Sequence, residues 1–279
     1  MPDLSFCAQQ VRRQDNDRFL CALFAPAPRR EGLFALYAFN LELASIADKV
    51  SEPLLGRMRF QWWREAVDGD ANGNAAGHQV AGPLARTVAE SGLSTASLLA
   101  LIDARERDLD DRPIPDQAAF AAYAADTAGA LAEMSLDVLG IAEAAAHEAA
   151  HHVGLAWAGL GILRSLPFHA ARRRLYLPAE SLEAAGSTAQ EIFSGKASPA
   201  LRRVVAEVAE WSRHHLNAAR MNRGRVPAAA LPALLPAVLA EIHLERLRRA
   251  DFNPFDRDLA RPAPWRVARL WMHARRGRF

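Results

Sequence analysis

Cysteine is scarce: the 279 residues include two, Cys7 and Cys21. Two thiols build no disulfide framework and match no zinc spacing, so they read as reduced groups in a cytosolic setting. Apolar runs are short as well. The longest candidate, Val153 to Leu163, falls well under the roughly 20 residues that cross a bilayer as a helix. The opening "MPDLSFCAQQVRRQDNDRF" lacks the apolar core of a signal peptide. The expected location is therefore cytoplasmic, with room for peripheral contact at the inner face of a membrane. β-Branched residues are sparse, and no stretch alternates apolar and polar as a half-buried strand would. No internal repeat, dividing linker or nucleic-acid motif is present, and the pI of about 8.8 is moderate. Nucleic acid is not an expected partner.

What remains is a helical protein. Hydrophobic residues make up 51% and charged residues 24%, the balance of a folded chain. The net charge of +2 comes from 34 basic and 32 acidic residues; the basic ones are mostly Arg and gather late. Helical period is clear from Phe34 to Asp48, where Leu36, Phe39, Leu43 and Ile46 share a face. A second helix is predicted from Leu54 to Val67, just after Pro53. Further helices are predicted over 82–91, 94–108, 116–139 (broken near Gly129) and 142–166. Asp68 to His78 reads as a loop. Past Pro178, "PAESLEAAG" and "STAQEIFSG" read as short helices, each with a Ser or Thr cap and a Gly stop. Long helices follow over 198–223 and from Pro227 to about Arg249. The expectation is one all-α domain over 1–279, with a core of about 17–252 and a basic amphipathic helix in 253–279.

Several groupings invite a chemical reading. "HEAAH" at His147–His151 spaces two His by four with Glu148 between, as in a zinc protease. It lacks a strand-bearing substrate domain and a third ligand, the nearest downstream acids being Glu180 and Glu183. The bland alternative is an exposed His/Glu face. Ser165 and His169 are also four apart, but no acid orients the His and no oxyanion turn follows. Trp62 and Trp63 in "FQWWREA" fit one core ring and one groove wall. Arg164, Arg172, Arg173 and Arg174, with Tyr176, read either as an anion clamp or as a solvated basic loop. Trp265, Val267, Leu270 and Trp271, among Arg266, Arg269, Arg275, Arg276 and Arg278, form an amphipathic helix. It packs its apolar side on the domain or docks on a membrane or partner; packing is the favoured expectation.

Two "acid, three spacers, acid" pairs on facing helices would hold Mg²⁺ against a diphosphate, because residues i and i+4 share a face and Mg²⁺ takes oxygen ligands. Here the chain is instructive. "RREGLFALYAFN", "FQWWREA", "YAADTAGAL" and "ILRS…RRRLYLP" resemble the landmarks of the squalene/phytoene synthase family over about 17–252. The resemblance implies an all-α isoprenoid-synthase fold around a central cavity and head-to-head joining of two prenyl diphosphates.

The family's acids do not carry over. After Tyr37-Ala38-Phe39 the family pattern runs Cys-Arg, two spacers, Asp-Asp, two spacers, Asp. This chain has Asn40, Leu41 and Ala44 along that stretch, and only Asp48 remains. In the second pattern Ser165 and His169 stand where acids belong. Asp48 and Glu52 are a weak remnant of a metal pair, and Glu52 precedes Pro53, which disfavours helix there. In this the chain is similar to a catalytically degenerate subgroup that includes an assembly factor for respiratory complex I. "AFNLELASIADKVSEPLLGRMRFQWWREAV" and "RRADFNPFDRDL" carry that likeness.

The resemblance implies a non-enzyme that assists complex I assembly, with a complex I subunit or assembly intermediate as partner. It also implies an anionic lipid or prenyl diphosphate held without turnover at Tyr37, the four arginines and Tyr176. No cofactor is expected. The alternative is a prenyltransferase with an altered Mg²⁺ site, and catalytic residues are assigned to neither reading.

Overall fold

The computed structural model describes residues 4–69, 74–110 and 112–279. Among them every regular element is a helix, as expected, and no strand occurs. No single helix of the described residues is long and apolar enough to cross a membrane. The contacts group the chain into two interleaved units. One comprises 1–110, 130–150 and 224–234; the other comprises 111–129, 151–223 and 235–279.

The first unit is built on the helix Ala27–Ala44. Pro26 caps it and Pro28 starts it, a role for which proline's fixed φ and missing N–H suit it. From Leu33 to Asn40 every residue is buried, so this helix is a core helix rather than an amphipathic one. It packs against Phe6–Gln14, Ala81–Ser91 and Ala130–Leu139. Leu36, Phe39, Leu43 and Ile46 are all buried, as their spacing requires. The helix starts seven residues before Phe34, where its period becomes clear, and Phe6–Gln14 and Asn16–Ala22 have no counterpart among the predicted helices. Those two helices are capped by Ser5, accepting from the Ala8 N–H, and by Asp15, accepting from the Arg18 N–H. Pro53–Asp68 follows Pro53 as predicted and lies against Thr95–Glu106, where Arg64 pairs with Asp103 and Glu106. Trp63 is buried, edge-on to Phe39 at 5.1 Å, and Trp62 is half-buried against it. Of the loop read over 68–78, 74–77 form a short helix and 70–73 lie outside the described residues.

In the second unit Gln117–Ala124 runs into a π-helical turn, Ala125–Gly129, near the predicted break. The long helix Ala144–Ala171 contributes its part from His151 onward. It passes through Pro167 and on beyond the predicted end at Leu166. Proline removes one hydrogen bond there, but Leu163, Leu166 and Ala170 on one face are fully covered, and that burial offsets the loss. Gly154 lets this helix approach the π-turn closely: a Cβ there would stand 2.4 Å from the Ala128 carbonyl oxygen. Trp211, on Pro199–Met221, packs edge-on to Phe120 at 5.2 Å. Of the two short helices, Ala189–Phe193 has the expected Thr188 cap in a full capping box. Ala179–Ala185 starts at Pro178 with no side-chain cap, which corrects the Ser or Thr cap read there.

Candidate functional site

The first unit holds the stretch where the first acid cluster would lie. Asn40 is buried, and its side-chain oxygen accepts from Arg105 at 3.2 Å. The guanidinium beside Asn40 comes from another helix, Thr95–Glu106. Glu42 accepts from Gln10 and lies 3.9 Å from Lys49. Ala44 ends the helix, and Ser45 turns the chain, its hydroxyl donating to the Glu42 carbonyl at 3.0 Å. Asp48 lies on the separate four-residue helix Ile46–Lys49 and is exposed. Glu52 is extended, at φ −128° and ψ 135°, as the residue before proline should be. The two acids therefore share no helix. Tyr37 is buried, and its hydroxyl is hydrogen-bonded with Ser135. Burial pushes its pKa up to about 12, so the phenol stays neutral.

The second unit holds the other landmark. Ser165 and His169 lie on the long helix as the spacing predicts. His169 is packed between rings: Tyr176 at 4.7 Å and Phe168 at 5.4 Å. Tyr123 lies 5.9 Å from Tyr176, ring to ring. The Arg174 N–H donates to the His169 carbonyl at 2.9 Å. The N–H groups of Ala179 and Glu180 donate to the Ile114 and Pro115 carbonyls, which fixes the end of the basic loop. Three of the arginines have separate aromatic partners. Arg164 lies 2.9 Å from His243 Nε2 and 5.4 Å from the Trp157 ring. Arg172 stacks on Phe168 at 3.7 Å, and Arg173, at φ +56°, lies 5.2 Å over Phe193.

The His-rich sequences have other uses. His147 Nε2 is 3.0 Å from the Ile141 carbonyl and 3.8 Å from Asp137, which ties down the start of its helix. Among the described residues no three His, Cys, Asp or Glu side chains gather to hold a metal. Within the second unit, the described residues around His151 supply no third ligand for the zinc reading of "HEAAH". Sequence reasoning missed the pair His152 and His215, whose Nδ1 atoms are 2.9 Å apart. The tandem His at 151–152 and 214–215 was the available signal. Burial, and then His152, His214 and His151 nearby, push the His215 pKa down to about 4.

The C-terminal helix Arg266–Arg275 departs from the favoured expectation. Only Leu270 of its large apolar residues is buried, while Trp265, Val267 and Trp271 are exposed.

Comparison with known proteins places this arrangement. A bovine (Bos taurus) protein, NADH dehydrogenase (ubiquinone) complex I, assembly factor 6, is 34% identical over 274 residues, covering 98% of this chain and 82% of that one. Presqualene diphosphate synthase from Rhodopseudomonas palustris is 31% identical over 230 residues, 80% of this chain and 79% of that one. The crystal structure of a dehydrosqualene synthase with ligand superposes with a TM-score of 0.84 at 17% identity, covering 97% and 94% of the two chains. That likeness is one of fold. The pattern of the squalene/phytoene synthase family matches residues 11–269. With its landmark blocks retained on this helical frame and matched along nearly their whole length, the chain belongs to the squalene/phytoene synthase family.

Proposed function

We propose that this chain is a non-catalytic family member that assists the assembly of respiratory complex I. One observation carries the reading. Where the family resemblance puts diphosphate-holding acids, the chain has Ala44, Ser165 and His169, and the surviving Asp48 and Glu52 sit on separate backbone segments. Without convergent carboxylates, the charge of a departing diphosphate is not neutralised through Mg²⁺. The assembly role is supported by the 34% identity to the bovine assembly factor. The partner in this reading is a complex I subunit or assembly intermediate. The location is the cytoplasm, with peripheral contact at the inner face of the membrane. Arg172, Arg173 and Arg174, with Tyr176, are the proposed seat for an anionic group, a prenyl diphosphate or a lipid phosphate, held without turnover. No cofactor is assigned.

The test is deletion of the coding sequence in the source organism. Membrane NADH:quinone reductase activity should be lost while squalene- and carotenoid-type products persist. Purified protein given farnesyl diphosphate and Mg²⁺ should yield no condensed product. Intact complex I in the deletion strain would refute the assembly role. Condensation in the tube would instead support the prenyltransferase reading.

A further inference from the structure

The last 19 residues, Arg261 to Phe279, carry six arginines and no acid. Their helix is anchored by Leu270, 1% exposed, and by Phe279, 2% exposed, whose carbonyl accepts from Arg220 at 3.0 Å. Arg269 faces inward to Glu245 at 3.0 Å. The outward side is different. Trp265, Val267 and Trp271 are 79%, 56% and 54% exposed. Arg275, Arg276 and Arg278 are exposed beside them, and Arg275 lies 4.9 Å over the Trp271 ring. Trp265 also has φ +64°, a left-handed conformation that bulky residues avoid. Trp265 thus combines a left-handed backbone with an indole left largely in water.

We propose that this segment docks on an anionic membrane surface, with Trp265 and Trp271 entering the headgroup layer and the arginines meeting lipid phosphates. Three features favour a bilayer over a protein. The exposed apolar residues form a ridge on an anchored helix, and a bilayer accepts a ridge without a matching groove. Indole has an apolar body and an N–H tip, which suits the boundary between acyl chains and headgroups. Arg275, Arg276 and Arg278, exposed on the outward side, complement a negative leaflet, and a helix of this kind lies in the interface plane. The proposal gives a surface to the membrane contact suggested above. It rests on residues remote in sequence from the degenerate acid positions, and lipid binding is read without complex I, so either claim can fail while the other stands.

The full chain would be sedimented with vesicles of phosphatidylcholine alone and with phosphatidylglycerol added. The expected result is about tenfold or greater preference for the anionic vesicles, weakened at high salt. W265A/W271A should bind about tenfold more weakly, and R275Q/R276Q/R278Q should lose most of the anionic preference, each with unchanged far-UV circular dichroism. M221A, at a residue 82% exposed elsewhere in the same unit, should bind as the parent does. Equal binding to both vesicle types, no vesicle binding, or parental binding by W265A/W271A would overturn the proposal. So would retention by a protein surface alone.

Discussion

Substituting alanine for Gly154 sets two opposed effects against each other. Gly to Ala in a helix interior gains up to about 1 kcal/mol in backbone propensity. The new Cβ, however, would stand 2.4 Å from the Ala128 oxygen and 2.5 Å from the Gly129 Cα, where ordinary contact begins near 3.4 Å. Both atoms are backbone, so no side-chain rotation relieves the overlap. The long helix and the π-turn must part by nearly 1 Å, judged from those distances, and they lose dispersion along their seam. Overpacking of this kind costs about 1–3 kcal/mol, and a backbone clash belongs at the upper end. The net expectation is a loss of about 1–2 kcal/mol. Gly161, seven residues on in the same helix, has nothing within 4 Å of its would-be Cβ. Alanine there should stabilise by up to about 1 kcal/mol. Thermal unfolding followed by far-UV circular dichroism should separate the two variants by about 4–8 °C, for a difference of about 2 kcal/mol at about 2–4 °C per kcal/mol. If G154A melts at or above G161A, the close approach described at Gly154 is wrong.

Acid should weaken the second unit through His215. Its native pKa is depressed to about 4 from 6.5, so the unfolded chain binds a proton first, and stability falls as pH drops from about 6.5 to 4. The half-exposed ring reduces the effect to about 1–2 kcal/mol, and urea unfolding of H215N should show a flatter pH profile over that window. Cys7 and Cys21 should resist thiol reagents in the native state. Burial, with Glu31 next for Cys7 and Asp17 for Cys21, raises both pKa values, Cys7 to about 11. Mass spectrometry should find alkylation at neutral pH only after unfolding, and fast native labelling would contradict the burial. H169D should lose about 1–2 kcal/mol from its ring contacts, read by thermal melting, and should show no Mg²⁺ binding by calorimetry.

Much of the helical frame was legible because its signals are local. Ser94, Thr188 and Ser198 accept from the first-turn N–H groups as caps, and Leu36, Phe39 and Leu43 mark a buried stripe by spacing alone. Phe6–Gln14 escaped because Gln9, Gln10, Arg12 and Arg13 dilute its apolar pattern, though its Ser5 cap was there to find. Pro167 misled because burial of its neighbours outweighs one missing hydrogen bond, a tertiary effect with no local signature. At the candidate site, the extended backbone of Glu52 followed from Pro53. The partner of Arg164 did not, since His243 lies 79 residues away in sequence. Nor could spacing tell that Leu270 would turn inward while Trp265 and Trp271 stayed out.

The setting of His169 bears on how such a chain evolves. Its imidazole rests against Tyr176 and Phe168, with Tyr123 behind. A carboxylate placed there would forfeit that stack at once, and its neighbour one helical turn back, Ser165, would offer no second acid. Under the proposed reading, the packing at this position opposes an acid there, because the imidazole now fills the space between the two rings.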